Sequence, residues 1–114
     1  MNQYDYSRKE VLILSTIREI EPSELRRRLL AGESLQMIDV REDEEVAQGM
    51  ISGAKHIPLG EIPARLDEIP KDGEVIMICR SGGRSMRACQ YLSQHGIDCV
   101  NMVGGMLQWN EEEV

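Results

Sequence analysis

One short segment of the chain, which we call the cysteine loop, carries the side chains best suited to chemistry. Its residues are Cys79, Arg80, Ser81, Gly82, Gly83, Arg84 and Ser85. Consecutive glycines permit positive φ, so the backbone can curl and direct successive N–H groups inward as a nest for an anion. The two arginines add full positive charges. The loop therefore predicts a cradle for an oxyanion beside a thiol.

The charge around this loop is opposite to that of the whole chain. Residues 79–88 contain three arginines and no acidic residue, whereas the 114-residue chain has a net charge of −7. Arginines and a helix N-terminus lower the pKa of a cysteine to roughly 3.5–7.5. Cys79 is therefore predicted to be a thiolate nucleophile. The alternative, a small buried apolar residue, is common for free cysteines but is disfavoured in this loop.

The elements on either side would place the loop at the edge of a sheet. The unbroken apolar run Val75 to Ile78 predicts a strand buried on both faces, and Cys79 follows it directly. Helical periodicity then extends from Ser85 to His95 and presents its free N–H groups to the loop. Because ligands bind at the carboxyl ends of strands in open α/β sheets, the site is expected there.

Further strands and helices alternate along the chain, and the length favours one domain. We predict an α/β fold: an open, mainly parallel sheet of about five short strands with helices on both faces. The expected strands are 17–20, 35–40, 54–57, 75–78 and 97–103. The expected helices start at Pro22, within 42–45, at Ile62 and at Ser85, with a closing turn at 106–109. Residues 1–15 are interpreted as an N-terminal extension and 16–114 as the domain.

Composition excludes several classes of function. The acidic balance disfavours nucleic acid as a partner, and one Trp, three Tyr and no Phe give no platform for stacking bases. The apolar run Val11 to Leu14 is too short to span a membrane, and we find no signal peptide. The three cysteines form no C-x-x-C pair, and His56 and His95 fit no zinc pattern. We expect a cytoplasmic protein with reduced thiols and no metal site.

Four segments in order resemble the motifs of a known family. They are the cysteine loop CRSGGRS, IDVRE at 38–42, GMISGAKHIP at 49–58 and GGMLQW at 104–109. Together they resemble the single-domain rhodaneses, which are thiosulfate sulfurtransferases, from about Thr16 to Trp109. Two positions depart from the family pattern: Met50 stands where a His is usual, and Val46 where an aromatic residue is common.

The resemblance implies a double-displacement reaction without a metal or organic cofactor. The Cys79 thiolate would attack the outer sulfur of thiosulfate, release sulfite and carry a persulfide to an acceptor such as cyanide or a thiol. Arg84, and with less support Arg80, would hold the sulfonate of this small anionic donor. Ser81 and Ser85 would donate hydrogen bonds into the loop.

Neighbouring residues are given supporting roles. Asp39 is expected to end its strand and orient the cysteine loop by hydrogen bonds, and Arg41 to form an ion pair with Glu45. Cys89 and Cys99 are expected in the core, although one of them could resolve the persulfide as a disulfide if it lies close enough.

Two other classes of function remain open at this point. The first is a sulfur carrier or interaction module, fed by a sulfur-relay protein that docks on residues 1–15 and the acidic surface. The second is a cysteine phosphatase. It is disfavoured because Arg84 gives C-x4-R spacing instead of C-x5-R, and because no Asp is assignable as the general acid. An inert binding domain is disfavoured because the nucleophile and its arginines are present.

Overall fold

The computed structural model describes residues 17–112, so the N-terminal extension predicted at 1–15 lies outside the described residues. The strands are β1 (Arg18–Ile20), β2 (Gln36–Asp39), β3 (Lys55–His56), β4 (Glu74–Ile78) and β5 (Asp98–Met102). The helices are α1 (Pro22–Leu30), α2 (Asp43–Val46), α3 (Gly83–Ser93) and α4 (Gly105–Glu112). Two 3-10 segments, Leu59–Glu61 and Pro63–Glu68, connect β3 to β4.

The five strands form one parallel sheet in the order β1-β5-β4-β2-β3, which confirms the predicted fold class. Strand β4 lies at the centre and pairs with β2 on one side and β5 on the other. Its apolar run is buried on both faces, as the sequence predicted. The carboxyl ends of β2, β4 and β5 therefore meet at one edge of the sheet, where the cysteine loop begins.

Helices cover both faces because successive side chains of a strand point to opposite sides. Val75, Met77 and Cys79 join an apolar cluster that includes Ala88, Cys89 and Leu92 of α3. Ile76 and Ile78 join a second cluster on the other face, with Leu25 of α1 and with Met106 and Trp109 of α4. The Cys79 side chain consequently points to the face that α3 covers.

Three predicted helices differ in detail. The segment expected from Ile62 is a 3-10 segment, Pro63–Glu68, interrupted at Arg65, where φ is −121° and ψ is 27°. Helix α3 begins at Gly83 instead of Ser85, because Gly82 adopts a left-handed conformation that turns the chain directly into the helix. The closing turn is a full helix, α4. Within residues 17–112 no helix is long and apolar enough to cross a membrane.

Candidate active site

Cys79 follows the last residue of β4 and is fully buried at the base of the cysteine loop. Its Sγ accepts a hydrogen bond from the Gly82 N–H at 3.0 Å and another from the Ser85 hydroxyl at 3.2 Å. The backbone N–H groups of Ser81 and Ser85 also interact with the thiol.

The loop curls through a single left-handed residue. Gly82 has φ of 104°, whereas Gly83 is the first residue of α3 and does not adopt positive φ. A Cβ at Gly82 would lie 3.2 Å from the Gly104 nitrogen, so the close approach of two backbones also favours glycine there. The curl that the consecutive glycines permit thus uses positive φ at Gly82 alone.

Hydrogen bonding holds the pKa of Cys79 below its ordinary value. Burial alone would raise that pKa, but the Ser85 hydroxyl and the N–H groups of Ser85, Gly82 and Ser81 together outweigh it. The sequence predicted a lowered pKa from the arginines together with the helix N-terminus. In the structure the main stabilisation of the thiolate comes from the loop's own donors.

A buried network behind the thiol includes a residue that the sequence analysis missed. The Asn101 side chain, on β5, donates from Nδ2 to the Gly82 carbonyl at 3.1 Å and accepts from the Ser85 hydroxyl through Oδ1. Ser85 has one hydroxyl proton, and three acceptors share it: Sγ of Cys79, Oδ1 of Asn101 and the Gly82 carbonyl oxygen at 3.2 Å. A polar Asn between the apolar residues Val100 and Met102 was the signal that could have identified this position.

The two arginines of the loop have different surroundings. The Arg84 guanidinium makes two hydrogen bonds of 2.7 Å to the carboxylate of Glu45. This contact raises the pKa of Arg84, and it lowers the pKa of Glu45 to about 2. The Arg80 side chain is exposed and has no hydrogen-bond or ion-pair partner among the described residues.

The expected ion pair between Arg41 and Glu45 is wrong. Arg41 instead forms an ion pair with the fully buried Asp39. The Asp39 carboxylate accepts hydrogen bonds from Nε of Arg41 at 3.0 Å and from Nη2 of Arg41 at 2.8 Å. Arg41 reaches only the backbone carbonyl of Glu45, at 3.4 Å, and it also donates to the Gly49 carbonyl at 2.9 Å. His56 contacts the Arg41 carbonyl.

Asp39 does end its strand, but the hydrogen bonds of its carboxylate run to Arg41 and not to the cysteine loop. The direct contact with the loop that the sequence analysis expected is therefore absent among the described residues. Asp39 and Arg41 fix the segment 41–49, which carries Glu45. Asp39 and Arg41 therefore influence Arg84 only indirectly, because they position the segment from which Glu45 contacts Arg84.

The start of α4 is bound directly to the backbone of the cysteine loop. The N–H of Met106 donates to the Cys79 carbonyl at 2.8 Å, and the N–H of Leu107 donates to the Arg80 carbonyl at 3.0 Å. Gly105 permits this approach, since a Cβ there would lie 2.6 Å from the Cys79 carbonyl oxygen. Its φ of 58° also favours glycine.

A groove of about 600 Å³ runs beside the loop, between segment 41–50 and α4. Its lining residues are Arg41, Glu44, Glu45, Gln48, Gly49, Met50, Arg80, Met106, Leu107, Trp109 and Asn110. The groove has the position of an entrance at the carboxyl edge of the sheet. No group of His, Cys, Asp and Glu in the described part of the chain is arranged to hold a metal ion.

Cys89 and Cys99 are buried in the core, as predicted, and neither forms a disulfide. The hydrogen bond with Cys99 and burial both raise the pKa of Cys89 far above its usual value. Cys89 is thus paired with Cys99, while the hydrogen bonds to Cys79 come from the loop.

These features define an α/β domain with a parallel sheet, in which the candidate nucleophile, a hydrogen-bonded cysteine, directly follows the central strand. The chain belongs to the rhodanese-like domain family, which matches residues 21–112. A putative sulfurtransferase of Bacillus subtilis, YtwF, is 50% identical over 84% of this chain and 93% of its own length. A sulfurtransferase of Allochromatium vinosum is 45% identical over 82% of this chain and 88% of its own length.

Solved structures agree with this assignment. The crystal structure of a rhodanese-like domain protein from Staphylococcus aureus is similar with a TM-score of 0.79 and 41% identity, covering 82% of this chain and 91% of that one. Together with the names of the relatives, these similarities support sulfur transfer at the level of the family.

Proposed function

We propose that this protein transfers sulfane sulfur through a persulfide on Cys79. The observation that carries the proposal is the pair of donors within hydrogen-bond distance of Sγ, the Gly82 N–H at 3.0 Å and the Ser85 hydroxyl at 3.2 Å. Such donors stabilise a thiolate before the reaction and an anionic persulfide after it. This arrangement suits a nucleophile that must hold a negative charge in both states.

The first half of the proposed reaction loads the cysteine. The Cys79 thiolate attacks the outer sulfur of thiosulfate, an S–Sγ bond forms, and sulfite leaves with the electron pair of the broken S–S bond. In the second half, cyanide or a thiolate attacks the outer sulfur of the persulfide, and Cys79 leaves as a thiolate. Both halves conserve charge and need no external oxidant or reductant.

The other site residues receive roles in this scheme. Ser85 donates to the reacting sulfur, and Gly82 shapes the loop so that N–H groups face it. Ser81 contributes its backbone N–H, and Gly83 begins the helix behind it. Arg80, whose side chain has no partner among residues 17–112, is the charged side chain of the loop that we assign to meet an anionic donor.

Asp39 and Arg41 hold the segment 41–49 in place, and we assign them a positioning role only.

The proposal names thiosulfate as the sulfur donor and cyanide as the acceptor. A Pseudomonas aeruginosa relative is named thiosulfate sulfurtransferase GlpE and is 28% identical over 82% of this chain. That name supports thiosulfate as the first donor to test.

A sulfur carrier is the second candidate. A Bacillus subtilis relative named putative sulfur carrier protein YrkF is 38% identical over 83% of this chain, which spans 52% of that protein. The engagement of Arg84 by Glu45 favours this candidate, since it leaves less positive charge for a sulfonate. In this case a partner protein supplies the persulfide, and the extension at 1–15 is a proposed docking segment.

We further propose that the reaction takes place in the cytoplasm. All three cysteines are free thiols, including the adjacent pair Cys89 and Cys99. Free thiols persist in reducing compartments, where glutathione and thioredoxin keep them reduced.

The intact mass of the protein after incubation with thiosulfate, without reductant, tests the proposal. We expect a gain of one sulfur atom that is absent from Cys79→Ser, present in Cys89→Ser, and removed by cyanide. A gain with glutathione persulfide but not with thiosulfate would favour the sulfur carrier. No gain with either donor would overturn both candidates.

A further inference from the structure

Arg84, the arginine to which the family resemblance assigns the sulfonate of the donor, is already bound to a carboxylate. We propose that Glu45, through its ion pair with Arg84, selects against doubly charged sulfur donors such as thiosulfate and in favour of singly charged thiol persulfides. This inference rests on the proposed sulfur transfer at Cys79 and specifies the class of donor for that site.

The geometry of the pair leaves little freedom to Glu45. Each carboxylate oxygen accepts a 2.7 Å hydrogen bond from a different Arg84 nitrogen. The Oε1 atom also accepts the N–H of Glu42 at 2.9 Å. Two-point pairs of this kind are shorter and stronger than single hydrogen bonds between neutral groups. The carboxylate is thus held from both the cysteine loop and its own helix.

The backbone that carries Glu45 is fixed as well. Arg41 connects the buried Asp39 to the Gly49 carbonyl, so both ends of segment 41–49 are bound to the end of β2. Glu45 therefore withdraws from Arg84 only if it breaks its own hydrogen bonds. Glu44, the preceding residue, is exposed and also lines the groove, but it has no contact with Arg84 among the described interactions.

The ion pair affects the two classes of donor differently. Thiosulfate carries two negative charges, and its sulfonate must displace Glu45 to reach the Arg84 guanidinium. The displaced carboxylate then lies beside the bound anion, and it is ionised throughout the neutral range because Arg84 holds its pKa at about 2. Both the lost pair and the repulsion weaken binding of a dianion.

A thiol persulfide does not need the Arg84 guanidinium for binding. It bears a single charge, and its outer sulfur needs only the N–H groups and hydroxyl that surround Sγ of Cys79. The thiolate attacks that sulfur, the S–S bond of the donor breaks, and the donor leaves as a thiolate with the electron pair. Charge is conserved, and Arg84 can remain paired with Glu45 throughout.

Binding of thiosulfate to Cys79→Ser protein, measured by calorimetry, tests this without sulfur transfer. We expect Glu45→Gln in that background to lower the dissociation constant by about tenfold, because Arg84 becomes available. Glu44→Gln is the matched control, since it removes the same charge from the next residue. It should change the constant by less than about twofold, as a screened surface charge does.

A double-mutant cycle shows whether Glu45 acts through Arg84. In an Arg84→Gln background, Glu45→Gln should no longer tighten the binding of thiosulfate. In protein that retains Cys79, Glu45→Gln should raise the rate of persulfide loading from thiosulfate relative to loading from cysteine persulfide, which carries one net negative charge. Misfolding cannot mimic these results, since an unfolded chain would not bind the anion more tightly.

Three outcomes would overturn the inference: no tightening by Glu45→Gln, equal tightening by Glu44→Gln, or tightening that survives Arg84→Gln. Failure of both donors to load Cys79 is a different result and would overturn the proposed sulfur transfer itself. The two failures are distinguishable because the binding measurement uses protein that lacks the nucleophile.

Discussion

Cys79 and Cys89 belong to the same apolar cluster and neither is exposed to solvent, yet their surroundings shift their pKa values in opposite directions. Around Cys79, one hydroxyl and three N–H groups stabilise the thiolate and outweigh the effect of burial. Around Cys89, the neighbouring Cys99 thiol and burial both favour the protonated form. The comparison shows that burial alone does not decide the reactivity of a thiol.

The difference arises from where each cysteine lies in the secondary structure. Cys79 stands where β4 ends and the backbone turns, so nearby N–H groups are not used by the sheet or by a helix. Cys89 lies within α3, where the backbone N–H groups are committed to the helix, and Cys99 lies within β5. Regular structure thus removes the donors that a thiolate needs, and a loop supplies them.

Alkylation tests this contrast most directly and should show the largest effect. At pH 7 we expect iodoacetamide to modify Cys79 more than about a hundredfold faster than Cys89, because each unit of pKa changes the thiolate fraction tenfold. Peptide mapping by mass spectrometry gives both rates from one sample. Equal rates for the two cysteines would contradict the assignment of Cys79 as the activated thiol.

Removing one hydrogen-bond donor to Sγ should raise the pKa of Cys79, which makes this thiol more similar to Cys89. Ser85→Ala deletes the hydroxyl that bonds Sγ, so the pKa of Cys79 should rise by about one unit, the scale of a hydrogen bond to a charged group. The loading rate falls as pH drops through this pKa, since the thiolate is protonated. The acid limb of the pH–rate profile should therefore shift to higher pH.

Ser93→Ala is the control for that shift. Ser93 also lies on α3, but its hydroxyl donates to the Gln90 carbonyl, far from the thiol in sequence. The acid limb of the pH–rate profile of Ser93→Ala should coincide with that of the unmodified protein. A shift of the same size in both variants would mean that the helix as a whole, and not the Ser85 hydroxyl, sets the pKa of Cys79.

The smallest effect is expected at the inert thiol. Cys89→Ala should lower the free energy of unfolding by about 1 kcal/mol, the scale of one buried group of this size, while persulfide loading stays within about twofold. Urea denaturation and intact mass give the two readings. A longer lifetime of the Cys79 persulfide in this variant would show instead that Cys89 resolves it.

Local pattern was sufficient to predict the sheet and the cysteine loop. The apolar run before Cys79 predicted β4, because strands of a parallel sheet are buried on both faces. The helical period after it predicted α3 to within two residues at its start. The resemblance in the four motifs then indicated the family, which the structural and sequence similarities confirmed.

Partners distant in sequence were not predictable in this way. Glu45 and Arg84 are 39 residues apart, and Ser85 and Asn101 are 16 apart, so no local rule connects them. The expected pair of Arg41 with Glu45 failed for a related reason. The i,i+4 rule applies to a helix, but Arg41 precedes α2, and its side chain turns back to Asp39.

The hydrogen bonds from Met106 and Leu107 to the carbonyls of Cys79 and Arg80 have a consequence for synthesis of the protein on the ribosome. The nucleophile is translated well before Gly105, which permits that contact, and before Asn101, which holds the Gly82 carbonyl. A nascent chain that has just completed Cys79 therefore lacks these anchors. The backbone of the cysteine loop can therefore gain its full set of hydrogen bonds only after the start of α4 has been synthesised.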